Sequence, residues 1–331
     1  MSFIQFSASA QNSPSNDLIK QGVDLHNQGK YPEAIDKFNE VLKTDPENSY
    51  ANYELAFSLY TFKKPKDAIP HLEKAVKTEN SSLKVAVYCL LATIYDEDNQ
   101  AQKAFDNYNE AIKINPDYPQ IFYNQGIAYF RNKQYADAEN SAIEAIKHNP
   151  RNASSQRLYA LVCFHQNKRA NALLGFCSFL LLEPTGQRAD EAYNNIQHII
   201  QGGVLKDNNG ATTIPVSTNG DQETTTLNTS ISLVVAAAQT KKLTGMDLLE
   251  YELKSIFTMA GQLAENKSNK NFFDKFFAAY LYKLAQSENM PTFTRTASIS
   301  ANRTENVQWL KDHPQQLTAL SEWIKKTERP F

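Results

Sequence analysis

GKYPEAIDKFNEVLKTDP, residues 29–46, returns at 133–150 as KQYADAENSAIEAIKHNP, with a tyrosine, an alanine and the closing proline in the same places. The chain holds five copies of this phrase. A small residue recurs at Gly22, Ala56, Ala92, Gly126 and Ala160, and another at Ala34, Ala68, Ala104, Ala138 and Ala172; both series step by 34, 36, 34 and 34. Between them stand Leu25, Leu59, Tyr95, Tyr129 and Cys163. After the second series come Phe38, Leu72, Tyr108, Ala142 and Phe176, and the copies close on Pro46, Asn80 in place of proline, Pro116, Pro150 and Pro184.

Apolar residues three and four apart make each copy two amphipathic helices, and proline ends the second. Glycine or alanine is needed where two helix axes approach closely, since a larger side chain costs roughly 1–3 kcal/mol in strain. One pair of helices cannot bury both its apolar faces, so neighbours stack into a solenoid. The two extra residues near ENSSLK, 79–84, are expected to lengthen that turn, and Pro70 to sit in the early turns of its helix or kink it.

Period, small residues and proline together resemble the tetratricopeptide repeat, whose pattern reads W-x2-L-G-x2-Y, A-x3-F, P. The resemblance covers residues 15–186 as five units, 15–48, 49–82, 85–118, 119–152 and 153–186. This sequence departs from the pattern at the tryptophan, where it has Leu18, Asn52, Tyr88, Phe122 and Gln156. In ADEAYNNIQHIIQGG, 189–203, Ala192, Tyr193, Ile196, Ile199 and Ile200 form one apolar stripe, which predicts a capping helix over 187–203 that Gly202 and Gly203 end.

The resemblance implies that the first helix of each unit lines a concave groove that holds a peptide segment or protein partner. The positions it assigns there are Ile19, Val23 and His26; Tyr53, Phe57 and Tyr60; Cys89, Thr93 and Asp96; Tyr123, Ile127 and Phe130; and Arg157, Leu161 and Phe164. Tyr53, Phe57, Tyr60, Tyr123 and Phe130 make the expected hot spot. Some members of the family grip carboxylates with lysine, asparagine and arginine, but here Ile19, Val23 and Glu54 take the corresponding places, which speaks against that specificity. Sideways packing against neighbouring helices, the chain's own C-terminal region, or a second copy are the other candidate uses of these side chains.

Beyond the cap, 204–226 is rich in Gly, Asn and Thr and reads as a linker, with a hairpin at Asn209-Gly210. Helical periodicity then predicts a helical C-terminal domain, 227–331, built round Phe272, Phe273, Phe276, Phe277 and Tyr280 together with Trp309, Leu310, Leu317, Leu320, Trp323 and Ile324. The fold class is therefore all-α: a helix-turn-helix repeat solenoid of five units plus a capping helix, followed by this domain.

Composition limits the function. The 331 residues are 41% hydrophobic and 11% aromatic, enough for buried cores, and 34 basic against 36 acidic residues leave no basic face for nucleic acid. The longest apolar run, LLGFCSFLLL at 173–182, is about half a membrane span. Cys89, Cys163 and Cys177 follow no metal or disulfide spacing and read as small apolar residues. Motifs for phosphate, dinucleotide, zinc or serine chemistry are missing, so the expectation is a non-catalytic scaffold without cofactor or metal. An aromatic C-terminal pocket for an enzyme or small ligand, with the repeats as a targeting arm, is the alternative. In the leader, 1–14, Ala8-Ser9-Ala10 fits the site at which signal peptidase cuts, which suggests an exported protein, the competing reading being a cytoplasmic one with an ordinary N-terminal tail.

Overall fold

The structure, a computed structural model, describes residues 14–202, 205–206, 212–213 and 221–331. The leader and most of the 204–226 linker lie outside the described residues. Ten helices carry the repeats, two to each copy in chain order: α1 (Pro14–Asn27) and α2 (Tyr31–Thr44), α3 (Ser49–Thr61) and α4 (Pro65–Ala75), α5 (Ser81–Glu97) and α6 (Ala101–Ile114), α7 (Pro119–Arg131) and α8 (Tyr135–His148), and α9 (Ala153–His165) and α10 (Arg169–Leu180). The all-α repeat architecture expected from the period is what the chain adopts. Its contacts divide it into two compact units, 1–133 and 134–331.

The turn inside each pair has a fixed geometry. Gly29, Lys63, Asn99, Lys133 and Asn167 take positive φ, between 56° and 78°, at the same 34, 36, 34 and 34 steps as the small residues. The amide after them reaches back to close the helix, from Lys30 to the Leu25 carbonyl (3.0 Å), Lys64 to Leu59 (2.8 Å), Gln100 to Tyr95 (2.8 Å) and Lys168 to Cys163 (2.9 Å). This is a Schellman closure, in which glycine is the unstrained residue. Only the first copy has it. A side chain in the left-handed region costs roughly 1–2 kcal/mol, so Lys63→Gly is expected to raise stability by about 1 kcal/mol, read as a shift in the urea midpoint.

Between pairs, Asn48, Asn80 and Asn152 cap the following helix by accepting from the amides of Ala51, Leu83 and Ser155. Asn80, aligned with proline by spacing, is such a cap. The two extra residues of this copy do little to the turn: α5 has 17 residues where α3, α7 and α9 have 13, so the surplus extends the helix. Pro70 is the sixth residue of α4, which at 11 residues is shorter than the 14 of α2 and α6. The polar residues at the tryptophan place have their own task. Asn52 Nδ2 donates to the Pro46 carbonyl (3.0 Å) and Gln156 Nε2 to that of Pro150 (2.7 Å), which pins each helix to the turn before it.

In the second unit α11 (Gln187–Gln201) buries Ala192, Ile196, Ile199 and Ile200. Two short antiparallel strands follow, β1 (Leu205–Lys206) and β2 (Thr212–Thr213), with Leu205 opposite Thr213; the hairpin expected at Asn209-Gly210 has its loop outside the described residues. Then come α12 (Gln222–Gln239), α13 (Gly245–Glu265), a π-helical turn (Asp274–Ala278) running into α14 (Ala279–Ala285), α15 (Met290–Ala297), α16 (Arg303–Asp312) and α17 (Pro314–Lys326). No helix among the described residues is long and apolar enough to cross a membrane.

The spacing sets 227–331 apart, but its helices share a core with the fifth repeat. Every residue of α10 from Ala172 to Leu180 is buried, because α9, α11, α12, the π turn and α15 all pack on it. That placement uses the 173–182 apolar run, since a helix apolar all round must be enclosed. Asn228 of α12 accepts from the Arg169 amide (2.9 Å) and donates to the Asn167 carbonyl (2.7 Å), while Arg169 Nη1 donates to Ser232 (3.1 Å). The aromatic stretch is core as its pattern requires, yet Phe277 stacks on Tyr159 of α9 at 4.8 Å. A correction applies to the last two helices. Trp309, Leu310, Trp323 and Ile324 stay half-exposed, Leu317 is 39% exposed, and only Leu320 is buried, because α16 and α17 lie on the outside of the unit.

The last residues close over the fifth repeat. The Arg329 guanidinium lies 3.9 Å from the Tyr280 ring centroid and donates to Ser178 Oγ (2.5 Å) and Gln156 Oε1 (3.2 Å), with Arg151 held by the Lys325 carbonyl (2.6 Å). Neutral acceptors take Nη1 and a ring face covers the guanidinium plane of this half-buried cation, while Nη2 is buried without a hydrogen-bond partner among the described residues.

Candidate functional site

In the first unit the first helices of each pair form one layer: α1 packs on α3, α3 on α5 and α5 on α7. No comparable packing joins α2 to α4 or α4 to α6. The array within this unit therefore closes toward α1, α3, α5 and α7, which makes theirs the inner face.

Successive inner helices are tied near their C-terminal ends. His26 stacks on Phe57 at 4.8 Å and shares a 2.8 Å hydrogen bond with Ser58 Oγ; burial pushes its pKa down, so the ring is neutral at pH 7. Tyr60 donates to Glu97 Oε1 (2.8 Å), and burial together with that bond pushes the phenol up to about 12. Asp96 pairs with Arg131 (2.7 Å) and accepts from Asn132 Nδ2 (3.3 Å). Glu97 and Arg131 are partners of the expected groove positions that spacing alone did not single out. Their signal is a complementary partner about one repeat away: 37 residues separate Tyr60 from Glu97 and 35 separate Asp96 from Arg131.

The expected groove positions fall into three groups. Ile19, Tyr53 and Asp96 are buried, at 2%, 6% and 8% exposure, and serve the packing between helices. Val23, His26, Phe57, Tyr60, Cys89, Thr93, Tyr123, Ile127 and Phe130 are half-buried on the inner helices. Thr93 spends its hydroxyl on the Cys89 carbonyl (2.9 Å), and burial raises the Cys89 thiol to about 12, so it is no nucleophile. Arg157, Leu161 and Phe164 belong to α9 in the second unit. There α11 engages two of them: Arg157 pairs with Glu191 (2.5 Å), and Phe164 meets His198 edge-on at 5.7 Å.

Glu54 stands apart. It is half-buried on α3 beside Tyr53, and among the described residues it has neither a hydrogen-bond donor nor a cation as partner. Burial alone lifts its carboxyl from 4.5 to about 7. The folded state thus holds a proton that the unfolded chain releases between those values, so this group's effect on stability worsens as pH rises from about 4.5 to 7 and is constant above. Glu54→Gln is expected to flatten that slope and to stabilise the protein at pH 8 by roughly 1–2 kcal/mol, allowing for the water that still reaches the side chain. Urea melts of both proteins at pH 5 and pH 8 measure it.

Two helices to a copy, a left-handed turn between them and, within the first unit, an inner face of first helices are the features of a helix-turn-helix repeat module. Residues 15–186 are a tetratricopeptide-repeat array, and the chain is a tetratricopeptide-repeat protein. The family model described as tetratricopeptide repeat matches residues 19–83 and 123–178, and the one described as TPR repeat matches 87–133. Tetratricopeptide repeat protein 6 of Homo sapiens is 28% identical over 143 residues, 40% of this chain and 25% of that protein. TPR repeat-containing protein MJ1428 of Methanocaldococcus jannaschii is 25% identical over 126 residues, 38% of this chain and 22% of its own length. The chain therefore spans a quarter or less of these curated relatives. A crystal structure of MamA is similar over 49% of this chain and 94% of its own, at 25% identity and a TM-score of 0.45.

Proposed function

We propose that the protein is a non-catalytic binding scaffold whose inner face in residues 14–133 holds an extended segment of a protein partner. The observation that carries this reading is the row of half-buried aromatic and aliphatic side chains on successive inner helices: Val23, Phe57, Tyr60, Tyr123, Ile127 and Phe130. Such anchors are preorganised, since helix packing has already restricted their rotamers, and a partner that covers them loses little further side-chain entropy. Tyr53 supports Phe57 from below, the two rings lying parallel at 6.3 Å, so Tyr53 acts through packing and Phe57 through contact.

The test is a selection of random 12-residue peptides on the whole chain, with selected binders measured against a Phe57→Ala, Tyr123→Ala double variant. Truncating two buried anchors at about 2 kcal/mol each is expected to weaken binding at least tenfold. Binders that hold both proteins equally, while circular dichroism shows the variant folded, would move the binding function off this face.

A further inference from the structure

We propose that the segment held by this inner face carries a lysine or arginine whose cation is received at Glu54. The inference rests on the reading of the inner face as the binding surface and adds the chemistry of what it takes. Four charged side chains stand at or beside the inner positions of α3, α5 and α7: Glu54, Asp96, Glu97 and Arg131. Arg131 and Asp96 neutralise one another at 2.7 Å, and Glu97 accepts from Tyr60, which leaves the face with negative charge in excess. Lys20 occupies the place in α1 that corresponds to Glu54 in α3, but it is exposed and makes no ion pair with it. His26, neutral at pH 7, adds no cation.

Glu54 is the one of these carboxylates without any partner among the described residues. A carboxylate in an apolar setting is stabilised by a cation that arrives with its own hydrogen-bond donors. The surroundings suit a basic side chain. Phe57, whose ring is stacked between His26 and Tyr53, lies three residues on along α3 and adds apolar surface for the stem of such a side chain. Val23, one helix away, suits the methylene stem. An acidic segment meets like charge at Glu54, so the same feature selects against such partners at this point of the face.

The experiment uses the peptide library described above on three forms of the full chain: unchanged, Glu54→Gln and Glu54→Lys. Peptides selected on the unchanged chain are expected to share a lysine or arginine, and replacing it with norleucine is expected to weaken binding at least tenfold. That substitution should make less than a twofold difference on Glu54→Gln. Glu54→Lys should instead select peptides with glutamate or aspartate. Circular dichroism confirms that each variant is folded. Binders that need Phe57 and Tyr123 but show no basic preference, or lose equal affinity on Glu54→Gln whether or not they carry the cation, would overturn the charge inference and leave the inner face as the site. A library that yields no binder sensitive to Phe57 and Tyr123 would overturn both readings.

Discussion

Phe277→Ala is expected to cost about 3–5 kcal/mol and to loosen a helix more than 100 residues away in sequence. The side chain is fully buried, stacks on Tyr159 of α9 at 4.8 Å, and meets Phe276 edge-on at 4.8 Å and Phe272 at 5.9 Å. Deleting it leaves a cavity between the π turn and the fifth repeat, which rigid helix packing fills only in part. Hydrogen exchange is the discriminating measurement. Amides of both α9 and α14 should lose protection together, because one core serves both. Loss confined to α14, with α9 unchanged, would mean that the C-terminal helices form a core of their own.

The second large effect concerns truncation. A chain cut after Gln201 retains all five repeats and the cap, and by repeat logic alone it should be stable. In the structure α10 is apolar all round and relies on α12, the π turn and α15 for cover. Removing them exposes parts of Leu173, Leu174, Phe176, Phe179 and Leu180, at about 25 cal/mol per Å² of apolar surface. It also strips Arg169 and Asn167 of Asn228. The fifth repeat is expected to unfold or aggregate, seen as loss of α9 and α10 protection and as oligomers in sedimentation. A monomeric fragment with native exchange rates in α10 would refute this dependence.

The repeats were legible because their constraint is local and periodic. A Cβ on Gly22 would lie 2.5 Å from Phe38 Cε1, so the close approach of α1 to α2 leaves its mark at a single position that recurs with the period. The left-handed turn obeys the same period but leaves almost no trace in composition, since lysine and asparagine occupy four of its five positions. Among groove positions, spacing placed Tyr53 and Phe57 on the same face of α3. It could not tell that α3 and α5 approach closely enough to bury Tyr53 while Phe57 stays half-open, because that depends on the distance between helices and not on the face. Amphipathicity likewise marked Phe272, Phe273, Phe276, Phe277 and Tyr280 as core without saying against what; the answer, Tyr159 and α10, lies on another part of the chain. The stripe in α17 has the same character as that in α11, yet it stays on the surface, because a periodic pattern gives the direction of burial and not its depth.

Glu54 was visible in the sequence only as the wrong residue for gripping a carboxylate. The structure adds that among the described residues nothing compensates its charge, which turns a departure from the family pattern into a candidate for specificity. Its replacement by glutamine should make the protein more stable and its binding weaker, a pairing expected of a side chain kept for a ligand and not for packing.

The most direct test of the central claim is to locate a bound segment. A peptide from the selection, carrying a photoactivatable benzophenone, would be cross-linked to the intact chain and the attachment points mapped by mass spectrometry. Attachment within α1, α3, α5 and α7, competed by the unlabelled peptide, is the expected result; attachment confined to residues 222–331 would contradict it and place binding on the C-terminal helices.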